Sequence, residues 1–420
     1  MESVLAAHKS FMNDYRNDSA AVNKVRQRAI LGFKVMSLPS SKDEDFKYTN
    51  LKRLSELFLR YGLELKPAAT DLLELKKLLE KNLIGLNKVV FLNGRLLPEL
   101  SLLTRRGEYE VKEQLAAPSA LPEIPLLNLN RAFMSSPLEV NIIAEASLKA
   151  PLWFVNISSE GKVSNTSVQI NMGANSSAEV VEAFFSLDQK PCFVNAVTKI
   201  NVNQGASLRH FVFEGLGEQD GMAHSLFLEL SQDATLSSLN LAKSYVWSRN
   251  NVLAQLKGAG ASVSLFGLNL PNEDQFIDHC LKVIHAAPQT KSKQLYKGVL
   301  SGKAKSIFNG KITIERRAKG AAAEQLNKNI ICDRNAEAIT RPQLEVHADD
   351  VKATHGATIG KINPEELFYL ESRGLSLVDA RRLLTEGFVR EVLELGLQGE
   401  LRAWALNQLN INELVGKDVV

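Results

Sequence analysis

The chain is 420 residues long, 45% apolar and 23% charged with 13 prolines, enough apolar side chain for a folded protein, which excludes whole-chain disorder. Its 50 basic and 47 acidic residues leave a net charge of +3, so no excess field draws in nucleic acid or an anionic membrane surface. At this length more than one structural unit is expected.

The opening residues carry an early acid, Glu2, and only a short apolar run from Val4 to Ala7, too little for the core of a secretion signal, which predicts a cytoplasmic protein. No stretch approaches the roughly 20 consecutive apolar residues of a membrane helix. Apolar positions recur at three- and four-residue intervals in Ser19–Met36 and Thr70–Leu83; they predict helices, with Leu38-Pro39 interrupting the pattern between them. From Leu138 to Ile362 short alternating runs such as EVNII, SVQINM, LRHFVFEG and KITIERR are separated by Asn, Gly, Ser and Asp, which predicts a long all-β region. Within it an alanine step followed by a β-rich run recurs at Ala178, Ala206, Ala234 and Ala261, at intervals of 28, 28 and 27 residues, with looser copies at Ala304 and Ala336. A period of this size predicts stacked β-coils, each burying its inner face against its neighbours.

The tail from Asn363 reads as helical again. Asn363-Pro364-Glu365-Glu366 supplies a cap, a proline at the first helical position and an acid in the first turn, while Gly374 suits a left-handed helix end. Ser376-Leu377-Val378-Asp379 predicts a second capped helix, with Leu377, Ala380, Leu384, Phe388, Val392 and Leu395 on one side. A third segment from Gly399 carries Trp404 as its anchor. Such stripes favour packing back on the β-region over binding a partner.

Phosphate-binding loops fail their tests. Gly258-Ala-Gly260-Ala-Ser-Val263 has valine where the dinucleotide fingerprint needs its third glycine, and Gly302-Lys303-Ala304 lacks the upstream glycine of a Walker loop. His279, Cys280 and His285 resemble metal ligands, but on one strand Cys280 and His285 face opposite ways, and the two histidines lie about 20 Å apart at ~3.3 Å per residue. The richest segment is Arg341-PQLEVHADDVKATHGATIGKI, which crowds His347, Asp349, Asp350 and His355 together. One reading is a β-helix polysaccharide hydrolase or lyase using Asp349, Asp350 and His355 as acid and base groups; adjacent strand residues diverge, so the two acids share a site only through a bulge or turn.

The words PQLEVHADDVKATHGATIG (342–360), LFYLESRGLS (367–376), NKNIICDRNAEA (327–338), IHAAPQTKSKQLYKGVLSGKAKSIFNGKI (284–312) and Glu44-DFKYTNL resemble the SufD-type members of the SufB/SufD family, which serves Suf-type iron–sulfur cluster assembly. The resemblance implies a mainly β fold: a right-handed parallel β-helix core (138–362) between an N-terminal helical region (1–137) and a C-terminal helical, ATPase-docking region (363–420). It implies a non-catalytic scaffold of the SufBCD complex. A SufB-like subunit would pair with the β-helix, a SufC-like ATPase would dock on the C-terminal helices and supply ATP hydrolysis, and a cluster would be built at the subunit interface. The family's D-D-V-K-C-x-H-G pattern places its histidine at His355, implicated as an interfacial iron–sulfur ligand, and its cysteine at Ala353. With that thiolate gone and Cys192, Cys280 and Cys332 separated by 88 and 52 residues, the chain alone is a poor cage for a cluster that usually takes four donors. The cluster would be transient and shared, with none held tightly by the isolated chain. Unpaired β-edges would also let an isolated chain form a homodimer.

Overall fold

The computed structural model describes residues 2–36, 39–40, 42–60, 72–85, 87–102, 107–113, 124–159, 161–243 and 245–409. Four helices open the chain: α1 (Glu2–Asp14), α2 (Ala20–Met36), α3 (Leu51–Arg60) and α4 (Leu72–Asn82). The Ser19 hydroxyl accepts from the Val22 amide at 3.3 Å, capping the first turn of α2. Val22, Arg26, Ala29, Ile30 and Phe33 then form its buried stripe, spaced as a 3.6-residue period requires. Arg26 is tolerated there because its guanidinium meets the Asp18 carboxylate at 2.7 Å and the Met134 carbonyl at 2.9 Å. Leu38, Thr70 and Asp71 of the expected pattern lie outside the described residues.

β1 (Lys88–Leu92), β2 (Arg95–Leu96), β3 (Tyr109–Glu113) and α5 (Pro125–Phe133) lead into the β-region. There β4 (Leu138–Ile142), β6 (Val163–Met172), β8 (Phe193–Val202), β10 (Gly221–Leu230), β12 (Trp247–Leu256), β14 (Phe276–His285), β16 (Lys305–Ile314) and β18 (Glu337–Val346) form one sheet with β3. The alternating strands β5 (Leu152–Ser158), β7 (Ser177–Ser186), β9 (Ser207–Gly215), β11 (Thr235–Ala242), β13 (Ser262–Asn269), β15 (Lys291–Leu300), β17 (Ala322–Ile331) and β19 (Lys352–Gly360) form the other, with β1 and β2 at its start. From β4 onward, each strand pairs in parallel with the strand two later in the chain, so the chain winds a β-solenoid of about eight turns. Each turn buries its inner side chains against the turns above and below, the stacking that makes such folds cooperative along one axis.

The rungs advance by 30, 28, 27, 29, 31 and 30 residues from Ser177 through Ser207, Thr235, Ser262, Lys291 and Ala322 to Lys352. Ala206, Ala234 and Ala261 occupy one stacked corner just ahead of β9, β11 and β13, each 0% exposed, where the tight turn into the core leaves room for a methyl group. Ala178 does not share this corner. It pairs with Leu208, two residues further along, and Ser176 takes the corner position. Ala304 and Ala336 stand ahead of β16 and β18, at the opposite corner of the coil. Both corners turn inward, so both select small residues, and one apparent repeat merges the two corners with a position inside β7.

Outer faces are covered too, which is why β5 is buried at every residue. α3, α5 and the segment 44–50 cover the even-numbered sheet; α4, α7 (Leu377–Gly396) and α8 (Gly399–Gln408) cover the odd-numbered one. Ahead of them, α6 (Pro364–Ser372) is capped as expected: the Asn363 side chain accepts from the Glu365 amide at 2.9 Å, and Gly374 adopts φ +94° beyond its end. The Ser376 hydroxyl accepts from the Asp379 amide at 3.1 Å and donates to its carboxylate at 2.6 Å. The buried face of α7 differs from the expected stripe. It runs through Ala380, Thr385, Val389, Val392, Leu393 and Gly396, leaving Leu377 and Leu395 38% and 46% exposed. The helix seats where Gly396 allows it to approach the sheet: a Cβ there would lie 3.0 Å from Leu239 Cβ. Trp404 of α8 does anchor the tail, its ring 4.9 Å from Phe213 and 5.3 Å from Trp153, its indole N–H donating to the Asn82 carbonyl at 2.8 Å.

Candidate functional site at the open end of the solenoid

β18 and β19 are the last strands of their sheets. Every residue of β18 and β19 is intermediate or exposed, in contrast to the buried coils before them. The two edges differ chemically. Glu337 and His347 donate their amides back toward β16, to Ala304 and Ile314 at 2.9 Å, so the even-numbered residues of β18 turn their backbone outward. Pro342 falls in that outward set and has no N–H to offer, a familiar way of blunting an edge. On β19, Lys352 donates to Ala321 at 2.9 Å, so Ala353, His355, Ala357 and Ile359 present N–H and C=O groups outward with no strand beyond them among the described residues. β19 is therefore an unblocked template for a further strand.

The same four residues continue the inner-face register of Ala323, Gln325, Asn327 and Asn329, all buried on β17. His355 stands on Gln325, whose Nε2 donates to Gln294 Oε1 at 2.9 Å while its buried Oε1 has no hydrogen-bond partner. Among the described residues no coil lies above it, and His355 is exposed. Ala353 stands on Ala323, on the same face of the strand as His355.

The other groups of the rich segment do not join His355. His347 is exposed with Nε2 3.0 Å from Glu345 Oε1, and Glu345 is held below its ordinary carboxyl range first by Lys311, 2.5 Å away, and then by His347. Asp349 and Asp350 occupy the exposed turn between β18 and β19; Asp350 adopts φ +54°, and its carbonyl accepts the Gly320 amide at 2.9 Å. Asp350 is thus a turn former, a role that Asp fills readily in the left-handed region.

His279 and His285 are core residues. His279 Nε2 lies 2.7 Å from Asn269 Oδ1, and His285 bridges the Thr290 and Ser292 hydroxyls at 2.8 Å. Burial lowers their pKa values to about 3 and about 4, so both rings stay neutral. Burial also raises the Cys192, Cys280 and Cys332 thiols to about 11, keeping them protonated and poor metal ligands. Among the described residues no group of three His, Cys, Asp or Glu side chains could hold a metal ion. The donor set at the open end is one imidazole, which does not by itself make a cage for a cluster.

A second exposed surface went unread in the sequence. α6 has no buried residue, and Phe368 and Tyr369 are 73% and 56% exposed, beside Val378 at 66% and Leu383 at 49% on α7. None of these four belongs to the stripe read from the sequence, which ran through Leu377, Ala380, Leu384, Phe388, Val392 and Leu395. Among the described residues no helix is long and apolar enough to cross a membrane.

Residues 154–388 match the family described as SUF system FeS cluster assembly, SufBD core domain, and residues 6–83 match the SufBD protein N-terminal region. The chain is 30% identical to the iron–sulfur cluster assembly protein SufD of Escherichia coli, over 85% of this chain and 85% of that protein. It is 28% identical to an iron–sulfur cluster assembly SufBD family protein of Synechocystis, over 92% of this chain and 90% of that one. The core match spans more than half the chain, covering most of the solenoid and continuing into α7, and on that basis the protein belongs to the SufBD family of the SUF iron–sulfur cluster assembly system.

Proposed function

We propose that this protein is a cytoplasmic, non-catalytic scaffold subunit that pairs through the open end of its solenoid with a SufB-like subunit. In this reading ATP hydrolysis belongs to a SufC-like ATPase docked on the C-terminal helices, where Phe368, Tyr369, Val378 and Leu383 offer an apolar surface. The iron–sulfur cluster is cargo assembled at the subunit interface, and His355 contributes one neutral imidazole donor to it. The remaining donors come from the partner or from small thiols, since the cysteines of this chain are scattered and protonated. The division 1–137, 138–362 and 363–420 then assigns helical packing, partner pairing and ATPase docking to successive regions.

The observation that carries this reading is the exposure of His355 on a terminal strand whose outward backbone groups have no strand to pair with among the described residues. A scaffold that completes a site with a second chain needs its donor at such an edge, and strand addition supplies affinity through main-chain hydrogen bonds. Co-expression with SufB-like and SufC-like subunits tests it: the three should elute as one complex. Elution of this chain as a solitary monomer under those conditions would overturn the reading.

A further inference from the structure

The motif Glu44-DFKYTNL lies across the outer face of the even-numbered sheet and touches three of its strands. The main-chain carbonyl of Asn50 accepts the Trp247 indole N–H on β12 at 3.1 Å. Thr49 donates to Asp278 on β14 at 2.6 Å, and Arg249 of β12 donates to both Thr49 and Asp278, at 3.0 and 2.5 Å. Phe46 lies under the Arg249 guanidinium, 3.8 Å from the ring centroid, and Asp45 pairs with Lys282 of β14 at 2.5 Å. At the far end Glu44 pairs with Arg341 of β18, whose guanidinium also lies 5.3 Å from the Tyr48 ring.

Between these contacts sits a thiol. Asp278, Cys280 and Lys282 alternate onto one face of β14, and the flanking two are gripped by Thr49 and Asp45. Cys280 is accordingly 5% exposed although it points away from the solenoid core. Each tie between the cover and the solenoid uses a side chain on at least one side. Among the described residues the backbone of 43–50 hydrogen-bonds to backbone groups between Ser40 and Leu54 and to no solenoid backbone group. Segments held by few backbone bonds open at lower free energy than the sheets beneath them.

We propose that residues 44–50 are a releasable clasp over β12, β14 and β18, that its opening uncovers the Cys280 thiol, and that Arg341 ties its closure to the terminal coil. A carboxylate brought to Arg341 from beyond β18 would compete with Glu44 and loosen the clasp, so the cover over Cys280 responds to what occupies the end of the solenoid. The clasp itself stands on intramolecular contacts alone, and its test needs no partner.

The experiment measures native-state labelling of Cys280 by 5,5′-dithiobis(2-nitrobenzoate) in the full chain, with Cys192→Ser and Cys332→Ser removing the other thiols. When opening is fast relative to labelling, the rate tracks the open population. Thr49→Val and Arg341→Gln should each accelerate labelling by about fivefold or more, as loss of a hydrogen-bonded anchor implies, with the thermal midpoint unchanged. Lys305→Gln, which removes a 2.9 Å ion pair to Glu337 on the same face outside the clasp, should leave the rate as it was. Unchanged labelling in both clasp variants overturns the proposal. So does acceleration that merely parallels a falling midpoint, or equal acceleration in Lys305→Gln, because the thiol would then be reached by general loosening of the sheet.

Discussion

Gln325 and His355 are cross-strand neighbours on the last two rungs of one sheet, yet Gln325 is 1% exposed and His355 is open to solvent. One further rung would bury the imidazole as the rung of β19 buries Gln325. Whatever docks on this end therefore meets His355 from the inner-face side of the coil, together with the unpaired backbone of β19.

Replacing His355 by alanine should leave the subunit complex intact and lower the iron and acid-labile sulfide recovered on it. The ring makes no hydrogen bond that holds β19, so the loss belongs to the donor and not to the fold. Iron and sulfide equal to the unsubstituted complex would take His355 out of the function.

Ala357→Pro removes an outward N–H from β19 while its neighbours Gly356 and Thr358 keep their bonds to β17. Co-purification of a SufB-like partner should fall at least about tenfold, the effect of about 1.4 kcal/mol of lost pairing. Undiminished recovery would place the contact on β18 or on another surface.

On α6, Phe368→Ser should abolish capture of a SufC-like ATPase without shifting the thermal midpoint, since the ring is 73% exposed. Removing 363–420 outright is a blunter test, because it also strips Val389, Val392 and Leu393 from the sheet they cover. Full ATPase capture by Phe368→Ser and by Val378→Ser would move the docking site off this face.

Trp404→Ala should destabilise the chain by about 3–5 kcal/mol, as large-to-small changes at buried aromatic sites do, and chemical denaturation measures it. Trp404→Phe keeps most ring contacts and loses the bond to the Asn82 carbonyl, so its effect should be about 1 kcal/mol. A loss under about 1 kcal/mol for alanine would mean that α8 does not brace the solenoid.

Glu214 is buried among neutral partners, with Asn240 donating to it at 2.5 Å, and desolvation raises its pKa from 4.5 to about 7. The folded state holds this proton where the unfolded chain has released it, so the associated stability is full below pH 4.5 and is lost as pH rises to about 7. The swing is on the order of 3 kcal/mol. Relative to the unsubstituted protein, Glu214→Gln should gain stability as the pH is raised from about 5 to about 8; a pH-independent difference would show that the carboxyl ionises normally in the core.

The local punctuation of the chain is legible without a fold. Asn363 and Ser376 cap helices, Gly374 ends one in the left-handed region, and alternation marks the strands, because each of these depends on groups within a few residues of one another. The stacked coils are legible too, although the alanines at Ala304 and Ala336 conflate two corners. Which stripe of α7 faces the sheet is not legible: Gly396 meeting Leu239 decides it, across more than 150 residues of chain.

Residue order thus determined a solenoid between helical ends, and the family resemblance implied an imidazole at His355 two residues from the position, Ala353, where the family pattern has a cysteine. Tertiary structure alone decided that the imidazole is uncovered, that Asp349 and Asp350 sit in a turn, and that Thr49 grips Asp278 from 229 positions away. Exposure and partnership are set by what stacks on a residue. In a coil that returns after some thirty residues, that neighbour is never the one adjacent in sequence.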